Sequence, residues 1–325
     1  MSKTRVALIG AGGMANGVHY PSLAGFDDVE MVALCDLVPD KLAATAEKFG
    51  IDKTYNDYRK MLAETSPDAV YALMPPHHVF DLAMDVMEAG HALFIEKPPG
   101  VTTFQTRAMA RFAEQKQLVT GVGFQRRYHP MVHRCYDMVR EKNEPSQVTV
   151  SFHKFATVGD PYPYYRGAID LFRCDAIHAV DSVRYYCGLS DVKSVSSVVR
   201  KLDSAHETSF NALIHFANDC VGILQTNWRA GHRFFTFEMH GAGASAYASI
   251  DGRGEVWQDG VAEPKLSTTF EDFAGTDQMH VHQGFEAQAR AFIDAVQSKT
   301  PPHNSFHDAV KTMELADRVL SERQS

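Results

Sequence analysis

Five short apolar runs separated by helix-like stretches fill the first 124 residues of the chain. "RVALI" precedes "MANGVHYPSLAGF", and "EMVALCD" precedes "DKLAATAEKFG". "DAVYALM" precedes "HVFDLAMDVMEAG", "ALFIEK" precedes "FQTRAMARFAEQK", and "LVTGVGF" closes the series. Runs apolar enough to be buried on both faces, spaced by amphipathic helices, predict a parallel sheet with helices on both sides. From about residue 125 the texture changes. "SQVTVSFHKF", "VKSVSSVVRKL", "SFNALIHFA", "VGILQTNW" and "RFFTFEMHG" follow with little helix between them. Their apolar/polar alternation predicts a large, mainly antiparallel sheet with one covered face. Two helical stretches, "HQGFEAQARAFIDAVQS" and "HDAVKTMELADRVLSE", close the chain. A length of 325 residues suits two domains. The expected division is an α/β domain over residues 1–124 and an α+β domain over 125–325.

The first run feeds the loop "VALIGAGGMA", in which Gly10, Gly12 and Ala15 form G-x-G-x-x-A between a strand and a helix. The first glycine permits a tight turn, the second lets a pyrophosphate approach the backbone, and the small third residue lets helix and strand pack closely. Phosphates would then sit on the helix N-terminus, where free N–H groups favour anions. A glycine-rich turn alone is a weak signal. Its context strengthens it: the second run ends "ALCD", placing Asp36 where a ribose-binding carboxylate belongs. No Arg follows Asp36 to receive a 2′-phosphate, so the expected cofactor is NAD rather than NADP. These features define the first domain as a Rossmann domain.

Composition narrows the partners. A formal net charge of -8 with no Lys/Arg block argues against nucleic acid and anionic membranes. No apolar run approaches the roughly 18 residues of a membrane span. The five cysteines are scattered with no C-x-x-C, so neither a zinc site nor a disulfide framework is indicated. A reduced, cytoplasmic setting is the expectation. His280 and His282 alternate as strand ligands might, but no carboxylate or Cys set completes a metal site.

Lys97 lies at the carboxyl end of the fourth apolar run, followed by Pro98 and Pro99. Ligands of open α/β sheets bind outside the carboxyl ends of the strands, which aims Lys97 at the cofactor crevice. The prolines fix the exit of the chain, and an X-Pro bond is where a cis peptide is expected. Spacing alone leaves a second reading open, in which Lys97 pairs with Glu96 in solvent.

The glycine loop, "MPPHH", "EAGHALFIEKP", "VGFQRRYHP" and "IHAVDSVRYYCG", in that order, resemble the glucose–fructose oxidoreductase/inositol dehydrogenase family (Gfo/Idh/MocA). The resemblance covers nearly the whole chain. It implies a Rossmann domain followed by an α+β domain with a large open sheet, and a Lys97 that contacts the reacting hydroxyl of a sugar or cyclitol. It also implies cofactor contacts from Gly13 and Met14, from Met74, Pro75 and His78, and from Glu96 beside Lys97.

"LFRCDAIHAVDSVRYY" reads as a helix with Asp175, His178 and Asp181 at i, i+3 and i+6. A His flanked by carboxylates can be held in one tautomer and made more basic, as a general base requires. The same pattern fits a solvated helix face. The resembled family carries its catalytic His here within D-x-x-x-H-x-x-D. In this chain the position four before His178 is Cys174, and the nearest acid is Asp175. His178 and Asp175 are therefore the candidate base and its partner, with Asp181 at the substrate. Arg126 and Tyr128, after "LVTGVGF", and Arg166 in "DPYPYYRG" are further candidate substrate contacts. Arg173 hints at an anionic or highly hydroxylated ligand.

The expectation is an NAD-dependent oxidoreductase acting on a secondary hydroxyl or ketone of a sugar, cyclitol or sugar acid. Two alternatives stay open. One is an NAD-dependent glycoside-cleaving enzyme that works by transient oxidation and elimination; the other is a non-catalytic NAD-binding sensor. An open sheet face also predicts self-association, as a homodimer or homotetramer.

Overall fold

The computed structural model describes residues 3–156 and 165–324. The chain forms two units. The first comprises the residues up to Gln125 together with Met279–Val310, and the second comprises Arg126–Gln278 and the residues from Lys311 onward.

The first unit is built on a sheet of β1 (Thr4–Ile9), β2 (Val29–Cys35), β3 (Thr54–Tyr55), β4 (Ala69–Ala72), β5 (Ala92–Ile95) and β6 (Thr120–Val122). The order is β3-β2-β1-β4-β5-β6 and every pairing is parallel. β4 and β5 are buried at every position, which explains why they read as continuous apolar runs. The order reverses between β1 and β4, and the crevice at the carboxyl ends of those strands is the place where such sheets bind ligands. The two-residue β3 escapes the sequence reading, so Lys97 follows the fifth strand of the sheet and not the fourth.

Residues 279–310 depart from the expected division at 124/125. The helix Phe285–Ser298 sends Ala289, Phe292 and Ile293 into the same core as Val6, Tyr71 and Phe94. Phe292 meets the Tyr71 and Phe94 rings edge-on, each at 5.5 Å. An amphipathic helix goes where its apolar stripe finds a face to cover, and this one covers the parallel sheet. Arg290 and Gln297 on that helix also bind Asp28 just before β2, at 2.8 Å each. The short stretch Met279–His282 is helical rather than extended, with His280 3.7 Å from Glu286.

The second unit holds an eight-stranded sheet of β7 (Gln147–Phe155), β8 (Val192–Arg200), β9 (Ser209–Phe216), β10 (Val221–Asn227), β11 (Arg229–Gly241), β12 (Ala244–Ser249), β13 (Arg253–Gln258) and β14 (Leu266–Thr269). Its order is β14-β13-β12-β11-β7-β10-β9-β8. All pairings are antiparallel except β7 with β10. The helix Pro130–Arg140 packs on β12 and β13, and the helix Ile177–Tyr186 packs on β7 and β10. Beneath them lie Trp228, Phe235 and Phe237, with Phe152 stacked on Phe235 at 4.6 Å. The alternation in β9 and β12 buries one face and leaves Leu213 and Tyr247 exposed on the other. Among the described residues no helix is long and apolar enough to cross a membrane.

Candidate active site

In the first unit the glycine loop, the end of β2 and the turn after β4 enclose a crevice of about 750 Å³. Gly10, Gly12, Asp36, Met74, Pro75 and His78 line it. Gly10 has φ +102, and a Cβ there would sit 2.4 Å from the Leu73 carbonyl oxygen. Only glycine fits that position. At Gly12 and Gly13 a Cβ would meet no protein atom within 4 Å. The chain's own packing therefore does not demand glycine there, whereas close approach of a pyrophosphate does. Met14, the next residue, is 45% exposed beside the loop.

Asp36 accepts the Ala11 N–H through Oδ2 at 2.6 Å and the Val38 N–H through Oδ1 at 2.7 Å. Its carboxylate thus braces the glycine loop while lining the crevice. The Tyr20 hydroxyl donates to the Gly10 carbonyl at 2.5 Å, and burial, with Asp36 nearby, pushes that phenol's pKa well up. It stays a neutral donor under the loop. These features fit a dinucleotide: a cradle with open space at Gly12 and Gly13 and a carboxylate at the edge of the crevice.

Lys97 leaves β5 two residues past its carboxyl end, through a cis Lys97–Pro98 peptide. Glu96 does not extend into solvent beside it. Its side chain is 13% exposed and lies 2.7 Å from His19 Nε2 through Oε1. Oε2 accepts the Lys97 backbone N–H at 3.1 Å. Glu96, expected to contact the cofactor, here bonds His19 and the Lys97 amide. His19 was not foreseen, because a lone His in a helix reads as core and its partner lies 77 positions away.

In the second unit a wide π-type turn over Phe172–Ala176 leads into the helix Ile177–Tyr186. Every residue of that helix except Tyr185 is buried, so it has no solvated face. His178 is 8% exposed on it. Asp175 accepts from Lys154 Nζ at 2.5 Å and from Trp228 Nε1 at 3.1 Å, both through Oδ2. Lys154 and Trp228 are contacts the sequence reading missed. Cys174, at the position of the resembled family's acid, is buried, and its N–H bonds the Asp170 carbonyl at 3.0 Å.

Asp181, expected at the substrate, is 1% exposed and grips Arg127, accepting from Nε at 2.8 Å and from Nη2 at 2.5 Å. The Thr312 hydroxyl donates to the same carboxylate at 2.9 Å. Arg173 is likewise engaged: it bonds Asp170 at 2.5 Å and Asp317 at 2.6 Å. Its charge is answered within the unit by these two carboxylates. Arg126 is buried, with its guanidinium 5.4 Å from the Phe235 ring centroid. Burial first, and neighbouring Arg233 second, lower its pKa to about 10. Tyr128 is half-buried on the same turn, Gln125–Tyr128. The side chain of Arg166 and most of "DPYPYYRG" lie outside the described residues.

A parallel β3-β2-β1-β4-β5-β6 sheet with this loop and carboxylate defines a Rossmann dinucleotide-binding protein with an appended α+β unit. Residues 4–124 match the GFO_IDH_MocA family, described as an oxidoreductase family with an NAD-binding Rossmann fold, and residues 166–247 match the GFO/IDH/MocA C-terminal domain. The chain belongs to this family of oxidoreductases. It is similar to a myo-inositol 2-dehydrogenase of Thermotoga maritima, 23% identical over 99% of this chain and 97% of that protein. It is also similar to a D-glucoside 3-dehydrogenase of Escherichia coli, 35% identical over 39% of this chain and 36% of that protein. A dehydrogenase structure from Chromobacterium violaceum shares the fold, with a TM-score of 0.88 at 18% identity over 99% of this chain and 96% of that one.

Proposed function

We propose that the protein moves a hydride between a nicotinamide cofactor and a secondary hydroxyl or ketone of a sugar, cyclitol or sugar acid. The observation that carries this reading is Lys97 two residues past the carboxyl end of β5, in the sheet that forms the dinucleotide crevice. The names of the two relatives, an inositol and a glucoside dehydrogenase, support the substrate class. A bound nicotinamide supplies the hydride chemistry. The chain's own part is one proton and one developing charge. His178 takes the hydroxyl proton, and the Lys97 ammonium stabilises the alkoxide as it forms. Asp175, fixed by Lys154 and Trp228, stands in for the acid that Cys174 replaces. Asp175→Asn should then lower turnover at least about tenfold while Cys174→Ala does little. The reverse ranking would put the thiol, not the carboxylate, in the chemistry.

The test is absorbance at 340 nm with NAD and a polyol panel that includes myo-inositol and a glucoside. Net NADH supports the reading. Cleavage of the glycoside with no net NADH, or dinucleotide binding with no turnover of any polyol, would replace it. NAD is preferred over NADP because Asp36 stands where an added 2′-phosphate would come and carries like charge. NADH should bind more tightly than NADPH in a fluorescence titration, and Asp36→Ala should narrow that preference. Tighter NADPH binding by the parent protein would refute this part. A cytoplasmic setting belongs to the same reading, in keeping with five buried cysteines that form no disulfide. So does a homo-oligomer packed through the exposed sheet face around Leu213 and Tyr247.

A further inference from the structure

Gly10, Ala11 and Gly12 each give their carbonyl oxygen to a side chain of the chain segment that follows. The Tyr20 hydroxyl donates to Gly10 at 2.5 Å, and Asn16 Nδ2 donates to Ala11 at 3.1 Å and to Gly12 at 3.3 Å. Both partners of Asn16 only accept, which fixes its amide with the nitrogen toward the loop. The helix Pro39–Phe49 holds the same residue from two positions. The Thr45 hydroxyl, 3% exposed, lies 2.9 Å from Nδ2 and donates to Oδ1 at 3.2 Å. One turn on, Lys48 Nζ donates to the Asn16 backbone carbonyl at 2.9 Å. All of these residues belong to the first unit.

Side-chain packing does not order this loop. A Cβ at Gly12 or Gly13 would meet no protein atom within 4 Å, and glycine has the most backbone freedom to lose. Hydrogen bonds must supply the order, and Ala11 shows how: Asp36 takes its N–H at 2.6 Å, and Asn16 takes its carbonyl. A glycine loop holds a pyrophosphate through N–H groups, and a carbonyl turned to the same anion would set acceptor against acceptor. We propose that Asn16 is a positioning residue for dinucleotide binding: its amide draws the Ala11 and Gly12 carbonyls toward the following turn and so presets the loop for the pyrophosphate. The inference rests on the reading of this loop as the pyrophosphate cradle. It adds the side chain that shapes the cradle before the ligand arrives.

The test needs no substrate. In the full-length protein without ligand, Asn16→Ala should speed amide hydrogen exchange over Ala11–Met14 at least about threefold, while the cooperative melt stays parent-like. NADH and ADP-ribose share the pyrophosphate, and calorimetry should find each bound about tenfold more weakly. That is the size expected for two lost hydrogen bonds and a loop no longer preset. Thr45→Val keeps the shape and deletes only the hydroxyl against the amide, so it should weaken both ligands about threefold. In the Asn16→Ala background it should add nothing, because its effect runs through that amide. With a polyol turned over in the 340 nm assay, the loss should appear in KM for NAD and not in kcat. If Asn16→Ala lacks a parent-like melt, Thr45→Val carries the same comparison. Parent-like NADH affinity in the variant overturns the inference. So does further weakening by Thr45→Val in the Asn16→Ala background, which would mark a general packing defect. A parent protein that binds neither NADH nor ADP-ribose would refute the dinucleotide reading itself, and the inference with it.

Discussion

Lys97→Met should fold, bind NADH like the parent and lose at least about 100-fold in turnover, the low end for deleting a positioned electrostatic or acid–base group. Methionine keeps the length and apolar stem of lysine and removes only the charge. The fold does not depend on that charge, because the strand before it is anchored elsewhere: β5 is fully buried, and Glu96 is tied to His19 and to the Lys97 amide. On the proposed reading, dinucleotide binding rests on the Gly10 turn and on Asp36, neither of which changes. The loss should therefore appear in kcat and in kcat/KM for the polyol together, the pattern of an interaction made only in the transition state. A near-parental kcat with NAD saturating would reduce Lys97 to a residue that merely ends a strand. Sequence alone could not decide between those readings, because the rival one paired Lys97 with Glu96 in solvent. In the structure the Glu96 carboxylate bonds His19 Nε2 and the Lys97 amide.

What was legible in the sequence, and what was not, follows from the range of the forces involved. Strand runs, amphipathic helices and the glycine loop are local patterns, and the parallel sheet they predict is present with its crevice where the strand order reverses. β3 was not readable, because two residues, Thr54 and Tyr55, carry no period. The helix Phe285–Ser298 was readable as amphipathic. Its stripe could not say which sheet it covers, and Phe292 joins the first unit rather than the second. The His19–Glu96 bond spans 77 positions and belongs to no motif spacing. On the histidine helix the part not readable was the environment. An i, i+3, i+6 series of Asp175, His178 and Asp181 suggests one working face, but a helix buried nearly all round distributes its polar groups by whichever partner each direction offers. Asp175 found Lys154 and Trp228, and Asp181 found Arg127.

That last pairing gives the largest expected effect on stability. Asp181→Leu should destabilise the protein by about 3–5 kcal/mol, the usual cost of breaking a buried ion pair by removing one partner. Arg127 is 0% exposed, its Nε and Nη2 donate to the two Asp181 oxygens, and its guanidinium carbon lies 5.2 Å from the Tyr185 ring centroid. Leucine would leave that guanidinium in the core of the second unit without its carboxylate, and would leave the Thr312 hydroxyl without the same acceptor. The cost lies in the stranded charge, not in the pair's own net worth, since two well-packed apolar side chains can replace a buried ion pair at little loss. The double variant Arg127→Met, Asp181→Leu should therefore recover much of the stability that the single change removes. Urea unfolding of the parent, both single variants and the double variant measures the coupling directly. If Asp181 instead met the substrate, as the sequence suggested, Asp181→Leu would unfold at the parental midpoint and lose turnover alone. A parental midpoint would restore the substrate role. A lowered midpoint that Arg127→Met rescues makes Asp181 the counter-ion that lets the second unit keep an arginine in its core.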